Sequence, residues 1–183
     1  SGGMVNYDKL TFTGTGKLKI TGATSGNEDY CYGFLNPGTV TVDGCTLEIS
    51  GGVNGITSGR WNFNKCNVRI KGNGTEKDEF KGSIGRVSYI PEFTDCKVVT
   101  PEGTEWKKLD KSGYIYYSLF GSNGKVVTDW VTITSDPNTI EAPTVNVTAA
   151  QGVYTLSGVR VSNELKDLPK GIYIVNGKKV VKQ

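Results

Sequence analysis

Apolar and polar residues alternate over short stretches along most of this chain, and one alternating stretch is written repeatedly. Cys45-Thr46-Leu47-Glu48-Ile49 returns as Cys66-Asn67-Val68-Arg69-Ile70 and as Cys96-Lys97-Val98-Val99-Thr100, with a looser copy at Gly16-Lys17-Leu18-Lys19-Ile20. A period of two marks a strand with one buried face. Each later copy follows a second such stretch and a polar corner: Val40-Thr41-Val42-Asp43-Gly44, Trp61-Asn62-Phe63-Asn64-Lys65 and Pro91-Glu92-Phe93-Thr94-Asp95. The alternation breaks between Val42 and Cys45, so the chain turns there, at residue types that tolerate unusual backbone angles. A third short strand per repeat is predicted at Gly33-Phe34, Gly55-Ile56 and Ser83-Ile84.

The cysteine-headed copies recur after 21 and then 30 residues. A constant motif at unequal spacing means constant strands joined by variable loops. One such unit cannot bury its apolar stripe alone, but units stacked about 4.8 Å apart turn the stripes into continuous ladders. The predicted ladders are Phe12/Val42/Phe63/Phe93, Leu18/Leu47/Val68/Val98 and Ile20/Ile49/Ile70, with Trp61 also inward. On the outer face Lys19, Glu48 and Arg69 fall at one position of successive units, which predicts a charge ladder. After Pro101 the repeat fades, and residues 102–134 are read as a terminal cap, with Trp106, Tyr116 and Trp130 holding it and Asn123-Gly124 at a turn. The charged stretch Gly72–Glu79 reads as an inserted, solvated loop.

This pattern of three strands per turn resembles the right-handed parallel β-helix proteins of the pectate-lyase-like type, over residues 7–134. The handedness comes from that resemblance and from the rule for parallel crossovers. The tail differs. Tyr154-Thr155-Leu156-Ser157-Gly158-Val159-Arg160-Val161 and Lys170-Gly171-Ile172-Tyr173-Ile174-Val175-Asn176-Gly177-Lys178-Lys179-Val180 resemble the C-terminal module of secreted Bacteroidetes surface proteins, which in some relatives is similar to a type IX sorting signal. The resemblance implies a small antiparallel β module over 140–183, with strands on either side of Asn176-Gly177 forming a hairpin. The expected fold class is all-β: a short right-handed parallel β-helix, or solenoid, followed by that module. The expected location is extracellular or at the cell surface.

Composition narrows the chemistry. The 183 residues carry 25 glycines, no histidine, four cysteines and a net charge of +3. Acids and bases are interspersed, so no nucleic-acid-binding face is predicted, and no run is long and apolar enough for a membrane span. Ser1-Gly2-Gly3 reads as a junction, so the natural chain is expected to begin earlier, with its signal peptide outside these residues. Without histidine, Ser-His-Asp and Cys-His catalysis and histidine metal ligation are excluded. Cys45, Cys66 and Cys96 are expected as a buried column of reduced thiols, because the strand spacing exceeds the roughly 3.8 Å between Cβ atoms of a disulfide. A linear column is also poor tetrahedral geometry for zinc, so no metal and no cofactor are predicted. Cys31 stands outside the column.

A glycosidase needs two carboxylates about 5–9.5 Å apart, and Glu48 has no aligned carboxylate partner. No catalytic residue is nominated, and the chain is read as non-enzymatic. The candidate ligand-binding residues are Tyr30, Tyr32, Arg60, Arg86 and Tyr89. Exposed aromatic rings stack on sugar faces while Arg and polar side chains hydrogen-bond hydroxyls. The competing reading has Tyr32 and Tyr89 merely covering edges. The expected function is display, adhesion or glycan binding at a cell surface, with glycans or host and cell-surface proteins as partners. The alternatives are a fragment of a carbohydrate-active enzyme, lyase or hydrolase, and a structural spacer.

Overall fold

The computed structural model describes residues 2–24, 30–135, 152–162, 164–175 and 178–182. The protein is all-β and divides into two compact units, Ser1–Thr139 and Ile140–Gln183. In the first unit the strands come in triplets. The first is β1 (Met4–Val5), β2 (Lys9–Thr13) and β3 (Lys17–Thr21), beginning ahead of residue 7, where the sequence pattern starts. The second is β4 (Tyr32–Leu35), β5 (Thr39–Asp43) and β6 (Thr46–Gly51), and the third is β7 (Asn54–Thr57), β8 (Arg60–Asn64) and β9 (Asn67–Gly72). Corresponding members pair in parallel, giving the orders β1-β4-β7, β2-β5-β8 and β3-β6-β9 within three sheets.

The register matches the alternation residue for residue. Phe12 faces Val42 and Val42 faces Phe63. Leu18, Leu47 and Val68 align, as do Ile20, Ile49 and Ile70. Phe34 faces Ile56, which bridges to Ile84. Every member of these ladders except Phe12 and Leu18 is buried, and with Trp61 the buried ones form one core. The corners hold single left-handed residues, Gly44, Lys65 and Asp95 at φ 67°, 45° and 51°.

The fourth repeat departs from expectation. β10 (Glu92–Thr94) pairs with β8 in parallel, and Phe93 faces Phe63. β11 (Lys97–Thr100) does not pair with β9. Instead β14 (Val131–Thr134) lies antiparallel between them, so Val68 faces Ile133 and Ile133 faces Val98. The physical reason lies in the inward positions. Leu47-x-Ile49 and Val68-x-Ile70 carry two large apolar residues, whereas Val98-x-Thr100 carries one. Val131-x-Ile133 supplies two, both fully buried. Between these strands β12 (Glu105–Lys111) and β13 (Tyr114–Phe120) form an antiparallel hairpin. Its two-residue turn, Ser112-Gly113, has positive φ at both positions, 56° and 80°, as a tight hairpin requires. Asn123-Gly124 is also in a turn, where the Gly121 amide donates to the Lys125 carbonyl at 2.9 Å.

The Gly72–Glu79 loop is pinned more firmly than a solvated loop would be: Glu76 pairs with Lys125 at 2.6 Å and Glu79 pairs with Lys107, both from the segment that follows the repeats. Trp130 lies under the Arg69 guanidinium at 4.4 Å, and Trp106 packs on the core.

All four cysteines are free thiols. Cys45 and Cys66 are buried, but Cys96 is only half-buried, and among the described residues no further triplet covers its corner. Its Sγ donates to the Phe63 carbonyl at 3.3 Å. Burial, with Cys96 and Cys45 alongside, pushes the Cys66 thiol far up. In native buffer at pH 8, Cys96 should therefore be the one thiol modified quickly by a disulfide reagent, with Cys31, Cys45 and Cys66 following only on denaturation. Mass spectrometry of the native adduct checks this; rapid native labelling of Cys66 contradicts the stacking.

The second unit holds β15 (Val153–Tyr154), β16 (Arg160–Ser162), a 3-10 turn (Leu165–Asp167), β17 (Gly171–Val175) and β18 (Lys178–Lys182). They form one antiparallel sheet in the order β16-β15-β17-β18. Val175 pairs with Lys178, so the expected hairpin is present, while Asn176-Gly177 themselves lie outside the described residues.

Candidate functional site

The left-handed corner at Ser58-Gly59 recurs one repeat later at Arg86, with φ 58°. Arginine costs about 1–2 kcal/mol in this region, so something must hold it there. The Arg86 amide donates to Ser118 Oγ at 3.0 Å, and its carbonyl accepts from the Ser58 amide at 3.0 Å. Both clamps come from neighbouring strands or corners. They fix the direction in which the side chain leaves the backbone. The guanidinium reaches over the Tyr116 ring at 5.1 Å, and its Nε is buried without a hydrogen-bond partner.

Arg86 lines a cleft of about 280 Å³ together with Tyr30, Tyr32, Asn54, Lys81 and Lys111. This volume sits just under the roughly 300 Å³ at the low end of small-molecule sites. Tyr32 opens β4 and Asn54 opens β7, and the two face each other in register. Asn54 is buried and donates through Nδ2 to the Phe80 carbonyl at 2.9 Å, tying the loop to the sheet. Phe80 and Asp78 also line the cleft. Lys111 lies 5.1 Å from the Phe80 ring centre, and Asp78 pairs with Lys81 at 3.6 Å. Three cations against one carboxylate leave the cleft net positive. Tyr30 is exposed at the rim.

The five nominated residues thus fall into two groups. Tyr30, Tyr32 and Arg86 share the cleft. Arg60 and Tyr89 do not line it: the Arg60 guanidinium stacks on Tyr89 at 4.2 Å and pairs with Glu92 at 2.8 Å. This second cluster is self-contained, with its cation matched by a carboxylate. Sequence reasoning missed Asn54, Asp78, Phe80, Lys81 and Lys111. The signal for the middle three was the 30-residue spacing itself, since an insertion between stacked units must lie against their flank. Lys111 carried none, because the hairpin that brings it was not recognised.

Glu48 forms a separate electrostatic centre on the outer face. It lies between Lys19 at 3.0 Å, Arg69 at 3.8 Å and Lys17 at 3.9 Å, in the predicted register. The Lys19 hydrogen bond holds its carboxyl below the ordinary value of 4.5. A depressed folded value means stability that is complete above pH 4.5 and lost as pH falls through the folded value. Glu48→Gln should therefore flatten the acid side of the stability profile. Glu48→Lys should cost about 1–2 kcal/mol by setting like charges side by side, and adding Arg69→Glu should restore part of it. Chemical denaturation at pH 7 and pH 3.5 reads both effects; a double variant no better than the single one contradicts the register.

Among the described residues no group of three or more histidines, cysteines or carboxylates is placed to hold a metal ion, and no helix is long and apolar enough to cross a membrane. Comparison with known proteins found no matching family model, no matching curated protein and no matching solved structure.

Proposed function

We propose that this chain is a short right-handed parallel β-helix that binds glycans at a cell surface through the Tyr30/Tyr32/Arg86 cleft. Three observations support the architecture: parallel pairing of corresponding strands across the three triplets, side-chain register kept across those triplets, and repeated left-handed corners. Right-handedness follows the general rule for parallel crossovers. The antiparallel C-terminal sheet fits the sorting-type module of secreted surface proteins, and on that reading the protein works outside the cytoplasm.

The observation that carries the binding function is the Arg86 guanidinium, clamped at a strained corner with a buried, unpartnered Nε, in a cleft rimmed by two tyrosines. Strain and an unsatisfied donor persist where a ligand is to be met. Tyrosine supplies the flat apolar face that sugars stack on, and Asn54, Lys81 and Lys111 surround it with polar groups. The cleft offers one carboxylate, Asp78, already paired, where glycoside hydrolysis needs two. The chemistry favours holding a sugar over cleaving it.

A glycan array followed by titration calorimetry tests the proposal. Arg86→Gly removes the guanidinium and relieves the left-handed backbone, so the variant should fold at least as well as the parent. Its affinity for any bound glycan should fall about tenfold or more, as expected on losing hydrogen bonds to a charged donor. Saccharide cleavage would establish the enzyme instead, and neither binding nor cleavage would leave a spacer.

A further inference from the structure

The outward faces of the stacked triplets alternate in charge. The first carries Lys9, Lys17 and Lys19; the second Asp43 and Glu48; the third Arg60, Arg69 and Lys71. Beyond the third lie Glu92 on β10 and Asp129 just ahead of β14. Five ion pairs cross between neighbouring strands or their flanks under this rule: Glu48 with Lys17, Lys19 and Arg69, Arg60 with Glu92 at 2.8 Å, and Lys71 with Asp129 at 3.5 Å.

The first triplet is the end of all three sheets. Among the described residues β3 has β6 on one side and no strand on the other, so one row of its backbone groups faces outward. Its apolar position is also uncovered. Leu18 is 42 % exposed, whereas its ladder partners Leu47 and Val68 are each 1 % exposed. This edge therefore combines open backbone, an exposed apolar knob and lysines on both sides of it.

We propose that β3 is a docking edge for an extended segment of a partner protein that carries carboxylates at alternate positions with apolar residues between them. The segment adds as a strand, its backbone pairing with Lys17–Thr21, its apolar side chains covering Leu18, and its carboxylates meeting Lys17 and Lys19. It stands to β3 as β6 does on the other side, where Glu48 meets the same two lysines. A second copy of this chain fits the edge poorly. Edge-to-edge pairing of two β3 strands sets Lys17 and Lys19 against themselves, and stacking β3 on β11 sets them beside Lys97. Like charges directly opposite are unfavourable. The proposal is independent of the glycan reading, since neither β3 nor its lysines line the cleft.

The test uses the whole 15N-labelled chain and two capped ten-residue peptides. One alternates glutamate with isoleucine or valine; its twin has lysine in place of each glutamate. Amide exchange and chemical shifts are followed for Lys17–Thr21. The acidic peptide should slow exchange there and bind about tenfold more tightly than the lysine twin at low salt. Leu18→Asp, at an exposed position, should abolish binding with the circular dichroism spectrum unchanged. Lys17→Glu combined with Lys19→Glu should reverse the peptide preference. Equal binding of both peptides overturns the charge rule, and protection mapped to another strand overturns the site. The absence of binding by either peptide, or dimerisation of the chain through β3, overturns the partner.

Discussion

Trp61→Ala should remove about 3–5 kcal/mol of stability from the Ser1–Thr139 unit, the usual cost of truncating a buried indole. Trp61 has no exposed surface, and it is the largest side chain in the core. Its ring meets Phe34 edge-on at 5.1 Å and stacks on Phe63 at 6.3 Å, and Phe63 in turn stacks on Phe93 at 5.5 Å. Truncation therefore opens a cavity at the node of an aromatic chain that runs through three sheet positions. Nε1 donates to the Ser58 carbonyl at 2.9 Å, across a corner whose φ is 63°. Trp61→Phe keeps most of the volume and loses that bond, so it should cost about 1 kcal/mol plus a small cavity term. Urea unfolding of both variants, followed by far-ultraviolet circular dichroism, gives the comparison. A Trp61→Ala loss no larger than that of Trp61→Phe would mean that the indole fills no structural node.

The repeat was legible because it obeys the simplest periodicity available. Leu47-x-Ile49 and Val68-x-Ile70 place two large apolar groups on one face, and stacking follows from the need to cover them. The same reading failed at Val98 because it weighed the leading cysteine and the alternation above side-chain volume. Thr100 in place of isoleucine weakens the inward face of β11, and β14 fills the place instead. Nothing local to Val131–Thr134 announces that insertion, since antiparallel and parallel neighbours demand the same alternation. The β12–β13 hairpin was not legible from periodicity: Ser112-Gly113 gives the two-residue spacing of a tight turn, but neither flanking run alternates, since Trp106 and Leu109 stand three apart and Ser118, Leu119 and Phe120 are buried in a row. β12 is rich in lysine and reads as surface, while β13 is rich in tyrosine.

The cleft was half legible. Tyr30, Tyr32 and Arg86 sit next to the third strand of successive repeats, so equal positions in the repeat brought them near one another. Arg60 and Tyr89 belong to the other side of the same corner, and a difference of two or three residues around a left-handed turn is enough to redirect a side chain. The strain at Arg86 was invisible from sequence, since arginine is not a residue type that signals positive φ.

Another feature hidden in plain text is the glycine column, and it carries the second large effect. Gly22, Gly51 and Gly72 each follow by two residues the isoleucine of their repeat, Ile20, Ile49 and Ile70. They stand where one sheet gives way to the next and backbone crosses backbone. A Cβ on Gly51 would lie 2.2 Å from both the Asn54 carbonyl oxygen and the Gly33 nitrogen; on Gly22 it would lie 1.9 Å from the Tyr32 carbonyl oxygen. Neither partner is a flexible side-chain end, so one strand must move, and every ladder registered to it moves too. Gly51→Ala should therefore cost about 3 kcal/mol or more, at the upper end of overpacking. Gly44→Ala is the matched control. A Cβ there meets nothing within 4 Å, but φ is 67°, so the cost is that of left-handed backbone alone, about 1–2 kcal/mol. Both substitutions add the same methyl group, and the difference between them isolates crowding from conformational strain. Urea midpoints at pH 7 should rank the parent above Gly44→Ala and Gly44→Ala above Gly51→Ala. Equal midpoints for the two variants would mean that the strands can part at the glycine column, and the close backbone crossing between the sheets would not be what sets their spacing.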